Sequence, residues 1–146
     1  MNPRSMALLA AALLLGACET DQPQDDDGAP MCVERDASAC DPLYEPTWER
    51  VFTQTIQPSC GTAGIACHAQ SDASGSRGGF VVTDMAATHA AIVDSGFVVP
   101  GDEACSDLMY RLDTEDTSVL MPPGSQPLGE AERCAVAQWI AQGAQP

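Results

Sequence analysis

The chain has 146 residues, of which 21 are acidic and six are basic, so its formal net charge is −15 at neutral pH. All six basic residues are arginines. Because so acidic a surface repels phosphate backbones, nucleic acid is excluded as an expected partner. The length suits one small domain, and seven cysteines in so short a chain are typical of an exported protein held together by disulfide bonds.

The N-terminus has the organisation of a secretory signal. Arg4 is followed by an apolar run that ends in small residues before Cys18. This run is shorter than the about 20 apolar residues that a membrane-spanning helix needs. The letters "LGAC" match a lipobox, where cleavage leaves a cysteine that becomes acylated. We therefore predict a signal peptide over residues 1–17 and a lipid on Cys18, with ordinary secretion as the alternative. Glu19 favours an outer-membrane lipoprotein that faces the periplasm or the cell surface.

Residues 18–46 are predicted to form the lipidated N-terminus and an acidic tether. Residues 19–30 combine acidic residues with Gln, Pro and Gly and show no apolar periodicity, which is typical of a disordered segment. The turn-rich stretch that follows contains Cys32 and Cys40, and a local loop closed by a disulfide between them is the simplest pairing. Residues 47–146 then form the domain.

Apolar periodicity predicts two helices in the first half of this domain. The buried face of the first is expected to consist of Trp48, Val51, Phe52, Thr55 and Ile56. Pro58 should end this helix. The second helix should be capped by Thr83 or Asp84 and should stop at Gly96. Its apolar positions are Met85, Ile92 and Val93.

Two further helices are predicted near the C-terminus. Asp102 can cap the first of them, and Gly143 should stop the second. The apolar residues of these two helices are Cys105, Leu108, Met109 and Leu112, then Ala135, Val136, Trp139 and Ile140. Strand signals are nearly absent, so the predicted fold class is a small all-α domain of short helices and long loops. Such a domain needs covalent staples, and a disulfide between Cys105 and Cys134 is expected to join its last two helices.

A Cys-His pair and a distant methionine are the residues with the clearest chemistry. A c-type haem needs a thiol that bonds a vinyl group and an imidazole next to it in sequence, and Cys67 and His68 supply one of each. Met121 stands in "VLMPPG", a loop that two prolines stiffen, where a thioether could approach iron from the opposite side. Methionine opposite histidine raises the reduction potential and suits electron transfer.

From Trp48 to Ala144 the sequence resembles the class I-like cytochrome c domains of bacterial exported lipoproteins. The matching residues are Ile56-Gln57-Pro58-Ser59-Cys60, Cys67-His68, Ser106-Asp107-Leu108, Met121-Pro122-Pro123, Trp139-Ile140 and Gly143-Ala144. The resemblance implies one haem c attached at Cys67, with His68 as proximal and Met121 as distal ligand. It implies a ring buried against Trp139, Ile140, Val51 and Phe52. It also implies an electron carrier for a redox partner protein, or the carrier subunit of a larger oxidoreductase, and not an enzyme in its own right.

The first cysteine departs from the family pattern. In the usual C-x-x-C-H motif position 64 is a cysteine, whereas this chain has Gly64 there and Cys60 instead, with six residues before Cys67. A continuous helix would separate the two thiols by roughly 10 Å along its axis, but Gly61 and Gly64 allow the chain to loop out. Cys60 could therefore form a second thioether, or it could bond Cys67 as a disulfide. The alternative to a cytochrome is thus a haemless, disulfide-stapled lipoprotein that keeps the scaffold as a structural or interaction module.

Other polar residues have simpler explanations. His89 could act as an axial ligand in place of Met121, but an ordinary, partly exposed helix residue is the simpler interpretation. Zinc at the same Cys-Cys-His set would lack a fourth ligand. One acidic cluster consists of Asp113, Glu115 and Asp116. It lacks the spacing of a calcium-binding loop, so its side chains are expected to remain solvated.

Overall fold

A computed structural model describes residues 30–61, 68–69, 80–124 and 126–146. Over these residues the chain is a small all-α domain with long irregular connections, so the predicted fold class is confirmed. An isolated β-bridge joins Val99 and Asp102. None of the helices described is long and apolar enough to cross a membrane. The predicted signal peptide, the predicted lipidation site Cys18 and Cys67 lie outside the described residues.

The described residues form four helices. Helix α1 covers residues 48–60 in three parts: an α-helical start (Trp48–Val51), a π-helical turn (Phe52–Ile56) and an α-helical end (Gln57–Cys60). The others are α2 (Met85–Asp94), α3 (Asp107–Asp113) and α4 (Glu130–Ala141). A 3₁₀ turn over Ala37–Ala39 precedes them.

Helix α1 buries the predicted face but does not end at Pro58. All five residues of that face are buried: Trp48, Val51, Phe52, Thr55 and Ile56. The helix continues through Pro58 to Cys60 because its middle turn is widened, with the N–H of Gln57 donating to the carbonyl of Phe52. A wider turn relieves the clash between a proline ring and the preceding carbonyls, and π-helical turns are one device that provides it. Helix α1 therefore extends as far as Cys60.

Helix α2 begins at the predicted cap, but its inner face differs from the prediction. The Asp84 carboxylate accepts a hydrogen bond from a backbone N–H in the first turn at 2.9 Å. Ile92 is buried as expected, whereas Met85, the first helical residue, is 39% exposed. Thr88 is buried in addition, and its hydroxyl accepts from the N–H of Thr83 at 3.0 Å. A hydroxyl can occupy this inner position because its hydrogen bond offsets the loss of water.

Helix α3 begins four residues later than a cap at Asp102 would imply. The Asp102 carboxylate accepts from the N–H of Cys105 at 3.1 Å and closes a turn. Ser106 precedes the helix, and its buried hydroxyl donates to the Asp102 carbonyl at 2.7 Å and accepts from the N–H of Val99 at 2.9 Å. The prediction was wrong because these bonds satisfy the turn before Asp107, which leaves that aspartate as the first helical residue.

Helix α4 ends as the sequence predicts. Gly143 has φ of 99°, a left-handed conformation that favours glycine. Its N–H donates to the carbonyl of Ile140 at 2.8 Å, and the N–H of Ala144 donates to the carbonyl of Trp139 at 3.0 Å. These two bonds are those of a Schellman motif, which satisfies the last carbonyls of the helix.

Two tryptophans join the first and last helices at the centre of the core. The rings of Trp48 and Trp139 lie 4.9 Å apart between centroids, and both are almost fully buried. Each indole N–H has a backbone partner: Trp48 donates to the carbonyl of Met85 at 3.0 Å, and Trp139 donates to that of Gln145 at 2.8 Å. A buried tryptophan needs such a partner, and these bonds fix both rings. The rest of the predicted inner face of α4 is also buried: Ala135, Val136 and Ile140.

The predicted disulfide pairs are wrong, although the four cysteines do form disulfides. Cys32 is bonded to Cys105, and Cys40 is bonded to Cys134. The Cα atoms of the two pairs lie 4.2 and 5.9 Å apart. Residues 30–40 pack along the domain, so that each cysteine meets a partner that is distant in sequence.

Backbone and side-chain hydrogen bonds show how this segment is placed. The N–H of Val33 donates to the carbonyl of Ala104 at 2.9 Å, beside the first disulfide. The amide of Gln138, on α4, donates to the carbonyls of Ala37 and Cys40 at 3.0 and 3.1 Å, beside the second. Residues 30–46, which the sequence groups with the tether, thus contact the helical domain.

An ion-pair cluster fastens the same segment, and it corrects the expectation that Asp113 is solvated. The side chain of Arg35 is only 7% exposed, and it donates to the carboxylates of Asp113 and Glu130 at about 3 Å. Arg133 reaches the same two carboxylates at 3.1 and 2.7 Å. The Arg35 guanidinium lowers the pKa of Glu130 below its usual range. Asp113 is 13% exposed and serves as an anchor, whereas Glu115 remains exposed as expected.

Candidate functional site

His68 is held at two points by residues 80–82. Its backbone carbonyl accepts from the N–H of Val82 at 2.7 Å, and its ring nitrogen Nδ1 lies 2.9 Å from the carbonyl oxygen of Phe80. The Phe80 ring packs against the imidazole at 4.6 Å between centroids. Because a carbonyl can only accept, Nδ1 carries the proton and Nε2 carries the lone pair of the neutral imidazole.

The surroundings of His68 favour its neutral form. Burial lowers the pKa of the imidazole below its ordinary value, and the positive charge of Arg111 lowers it further. The hydrogen bond to the Phe80 carbonyl opposes these effects but does not cancel them. Metals bind the neutral imidazole, so the ring is in the state that coordination requires.

Close packing at Gly61 places the end of α1 beside Val82, whose N–H binds the backbone of His68. A Cβ atom on Gly61 would lie 2.6 Å from Cγ1 of Val82, so any larger residue would push the two apart. Cys60, which precedes this glycine, is half-buried and packs against the core. The structure therefore places Cys60 near the residues that hold His68, while Cys67 lies outside the described residues.

Met121 is tied to helix α3 through Arg111. Its backbone N–H donates to the Arg111 carbonyl at 2.7 Å, and its half-buried side chain packs against the core. The positive charge of Arg111 also contributes, after burial, to the lowered pKa of the His68 imidazole. The peptide bond between Met121 and Pro122 is cis.

Arg111 is a residue that the sequence interpretation missed. Its Nε donates to Oδ2 of Asp107 at 2.9 Å, and the Asp107 side chain is 1% exposed. The available signal was the scarcity of cations in a chain without lysine, together with an Asp-Arg pair four residues apart on a predicted helix. That spacing places the two side chains on one helical face.

His89 does not have the surroundings of the first histidine. Its Nε2 donates to the carbonyl of Ala144 at 2.8 Å, and its ring meets the edges of Trp48 and Trp139 at 5.2 and 5.9 Å. These contacts lie beside the two tryptophans of the core and give the His89 ring a structural role. Across the described ranges, no group of three or more His, Cys, Asp or Glu side chains is arranged to hold a metal ion.

Comparison with known proteins identifies one related family. Residues 65–125 match the sequence model of a family described as Planctomycete cytochrome C. The matched segment includes Cys67, His68, Arg111 and Met121, and it begins five residues after Cys60. No curated protein and no solved structure matches the chain. The family match supports a cytochrome c-like domain in this part of the chain.

Proposed function

We propose that the chain is a membrane-tethered, monohaem c-type cytochrome that carries single electrons to or from a redox partner protein. Cys67 attaches the haem, with Cys60 as a second attachment point, and His68 and Met121 are the two axial ligands. The protein is an electron carrier and not an enzyme in its own right. When bound, haem supplies an iron that exchanges one electron between its ferric and ferrous states.

The observation that carries this proposal is the hydrogen bond from Nδ1 of His68 to the Phe80 carbonyl. A metal-binding histidine usually donates its other ring N–H to a backbone carbonyl or a carboxylate, which fixes the tautomer and the ring orientation. The same bond leaves Nε2 with a lone pair. In the described part of the chain, the hydrogen bonds of this ring are confined to Nδ1.

The donor set fits haem iron better than a simple cation. One neutral imidazole and one thioether are soft or borderline ligands, whereas calcium and magnesium prefer oxygen. A histidine–methionine pair is used in electron-transfer cytochromes, where methionine raises the reduction potential. Phe80 and Phe97, whose rings are 6.1 Å apart, add apolar surface beside His68 that helps to exclude water.

Attachment of haem is tested by producing the exported protein in a host with a haem-attachment pathway. We expect a c-type pyridine haemochrome spectrum and an intact mass increased by one haem. Replacing His68 by Gln should abolish or strongly reduce haem incorporation, because the imidazole is lost as a ligand. His89→Gln is the matched control, since the chain has two histidines, and it should retain haem.

The opposite result would favour the haemless scaffold. A colourless wild-type protein whose mass shows a further disulfide between Cys60 and Cys67 contradicts the electron-carrier proposal. Retention of normal haem in His68→Gln would contradict the assignment of the proximal ligand while leaving haem binding intact.

The membrane tether rests on the lipobox at Cys18 and on the acidic linker that precedes the helical domain. We expect the wild-type protein in the membrane fraction, where detergent releases it, and the Cys18→Ser variant in the soluble exported fraction. Fractionation followed by immunoblotting provides the measurement. Equal distributions of the two proteins would exclude lipid anchoring at this residue.

A further inference from the structure

The pair formed by Asp107 and Arg111 has features that a surface ion pair lacks. Asp107 is 2% exposed as a residue, and its Oδ2 receives Nε of Arg111 at 2.9 Å. A buried carboxylate is costly unless it is paired, so the interaction holds the arginine in one place. The Arg111 side chain is itself 31% exposed and thus lies at the edge of the core.

The position of Arg111 relative to the candidate ligands is the second observation. Its carbonyl receives the N–H of Met121 at 2.7 Å, so the chain that presents the thioether is tied to the same residue. One residue thereby contacts the candidate distal ligand through its backbone and carries a positive charge that Asp107 holds in place.

The other cations in the described part of the chain are committed elsewhere or exposed. Arg35 and Arg133 form the cluster with Asp113 and Glu130. Arg50 is exposed on α1. In a protein with a net charge of −15, Arg111 is therefore the described cation that is hydrogen-bonded to a candidate ligand and paired with a buried carboxylate.

We propose that Asp107 and Arg111 form a positioning pair that sets the reduction potential of the haem site. This inference rests on the proposed function. Reduction adds one electron from the redox partner, and the iron passes from ferric to ferrous while no bond forms or breaks. The ferric state has one more positive charge, so a fixed arginine disfavours it and raises the potential. Asp107 acts in the opposite direction, and the burial of this carboxylate keeps its effect larger than it would be in water.

Opposite shifts in two charge variants provide the test. We expect Arg111→Gln to move the ferric–ferrous equilibrium about tenfold towards ferric, which lowers the midpoint potential by about 59 mV for a one-electron couple. Asp107→Asn should move the equilibrium in the other direction. Arg50→Gln, at an exposed arginine, is the matched control and should change it less than about twofold, because salt and water screen exposed charges. Spectroelectrochemical titration of the haem-loaded proteins measures all three.

The outcomes separate this inference from the proposed function. Haem-loaded variants whose potentials do not move, or that move in the same direction, would show that the pair has a merely structural role and overturn the inference. If Asp107→Asn does not fold, the Arg111→Lys variant provides the test. A midpoint potential nearer to that of the wild type than the potential of Arg111→Gln supports the role of charge. A midpoint potential as low as that of Arg111→Gln contradicts it. Absence of haem from the wild-type protein, seen in its haemochrome spectrum, contradicts the proposed function itself and the inference with it.

Discussion

Replacing both Cys40 and Cys134 by Ala is expected to lower the free energy of unfolding by about 4 to 5 kcal/mol. The disulfide joins residues that are 94 positions apart, and such a long closed loop removes much conformational freedom from the unfolded chain. Cys134 is fully buried, so its loss also removes packing beside α4. Total stabilities of small domains are about 5 to 15 kcal/mol, so this change should leave the domain close to unfolding. Urea denaturation followed by circular dichroism measures the difference.

The companion variant is Cys32→Ala with Cys105→Ala. Its closed loop is nearly as long, at 73 positions, but Cys32 is exposed and Cys105 is half-buried. We therefore expect a smaller decrease in the free energy of unfolding. Fewer buried contacts are lost, while the effect of the closed loop on the entropy of the unfolded chain is similar. Equal or reversed losses would show that burial at Cys134 contributes nothing beyond chain entropy.

Peptide mapping checks the pairing directly, because the chain contains arginine but no lysine. Cleavage after arginine places the four cysteines on four different peptides. The structure predicts that residues 36–50 stay linked to residues 134–146, and that the peptide ending at Arg35 stays linked to residues 78–111. A link between the peptide ending at Arg35 and residues 36–50 would instead support a local disulfide between Cys32 and Cys40.

Replacing Met121 by Ala in the haem-loaded protein is expected to lower the midpoint potential by on the order of 0.1 V or more, since axial ligands set haem potentials over about 0.8 V. The thioether favours ferrous iron, and its loss leaves water or another group as the sixth ligand. The weak red absorption band that thioether ligation gives ferric haem should disappear. Optical spectra of the ferric protein and a redox titration provide the two measurements.

Met85→Ala is the matched control for this variant. Met85 is the first residue of α2 and is 39% exposed, so its side chain can be shortened with little effect on the core. Its spectrum and potential should match those of the wild type. If the red band survives in Met121→Ala, another residue is the distal ligand, and His89 is then the first alternative to examine.

Periodicity alone located the buried faces of α1 and α4, and local chemistry located the start of α2 and the end of α4. The buried face of α1 and the inner residues of α4 follow from a repeat of 3.6 residues, which is a property of the backbone itself. Gly143 stops α4 because a left-handed conformation after a helix favours glycine, a preference that is visible in one residue. The late start of α3 was not visible, since it depends on a hydrogen bond between Ser106 and Val99 across a turn.

The candidate site was also only partly predictable. His68 and Met121 were named from residue type and order, because few other residues supply an imidazole beside a cysteine or a thioether on a proline-stiffened loop. Their environment was not predictable. The Phe80 carbonyl that fixes the His68 tautomer and the Arg111 carbonyl that binds the N–H of Met121 come from segments that meet only in the folded chain.

By itself the sequence determined the all-α class, the acidic character, the buried faces of α1 and α4 and the residue types that we propose as haem ligands, because each of these depends on local composition or on a short repeat. Tertiary structure alone decided which cysteines are bonded and which acidic residues are buried. Cys32 and Cys40 are eight residues apart, yet packing places each beside a partner more than 70 residues away. Asp113 looks solvated in the sequence, yet two arginines from distant segments enclose it. Long-range packing determines these contacts because the burial of the core, and not proximity in sequence, sets which side chains meet.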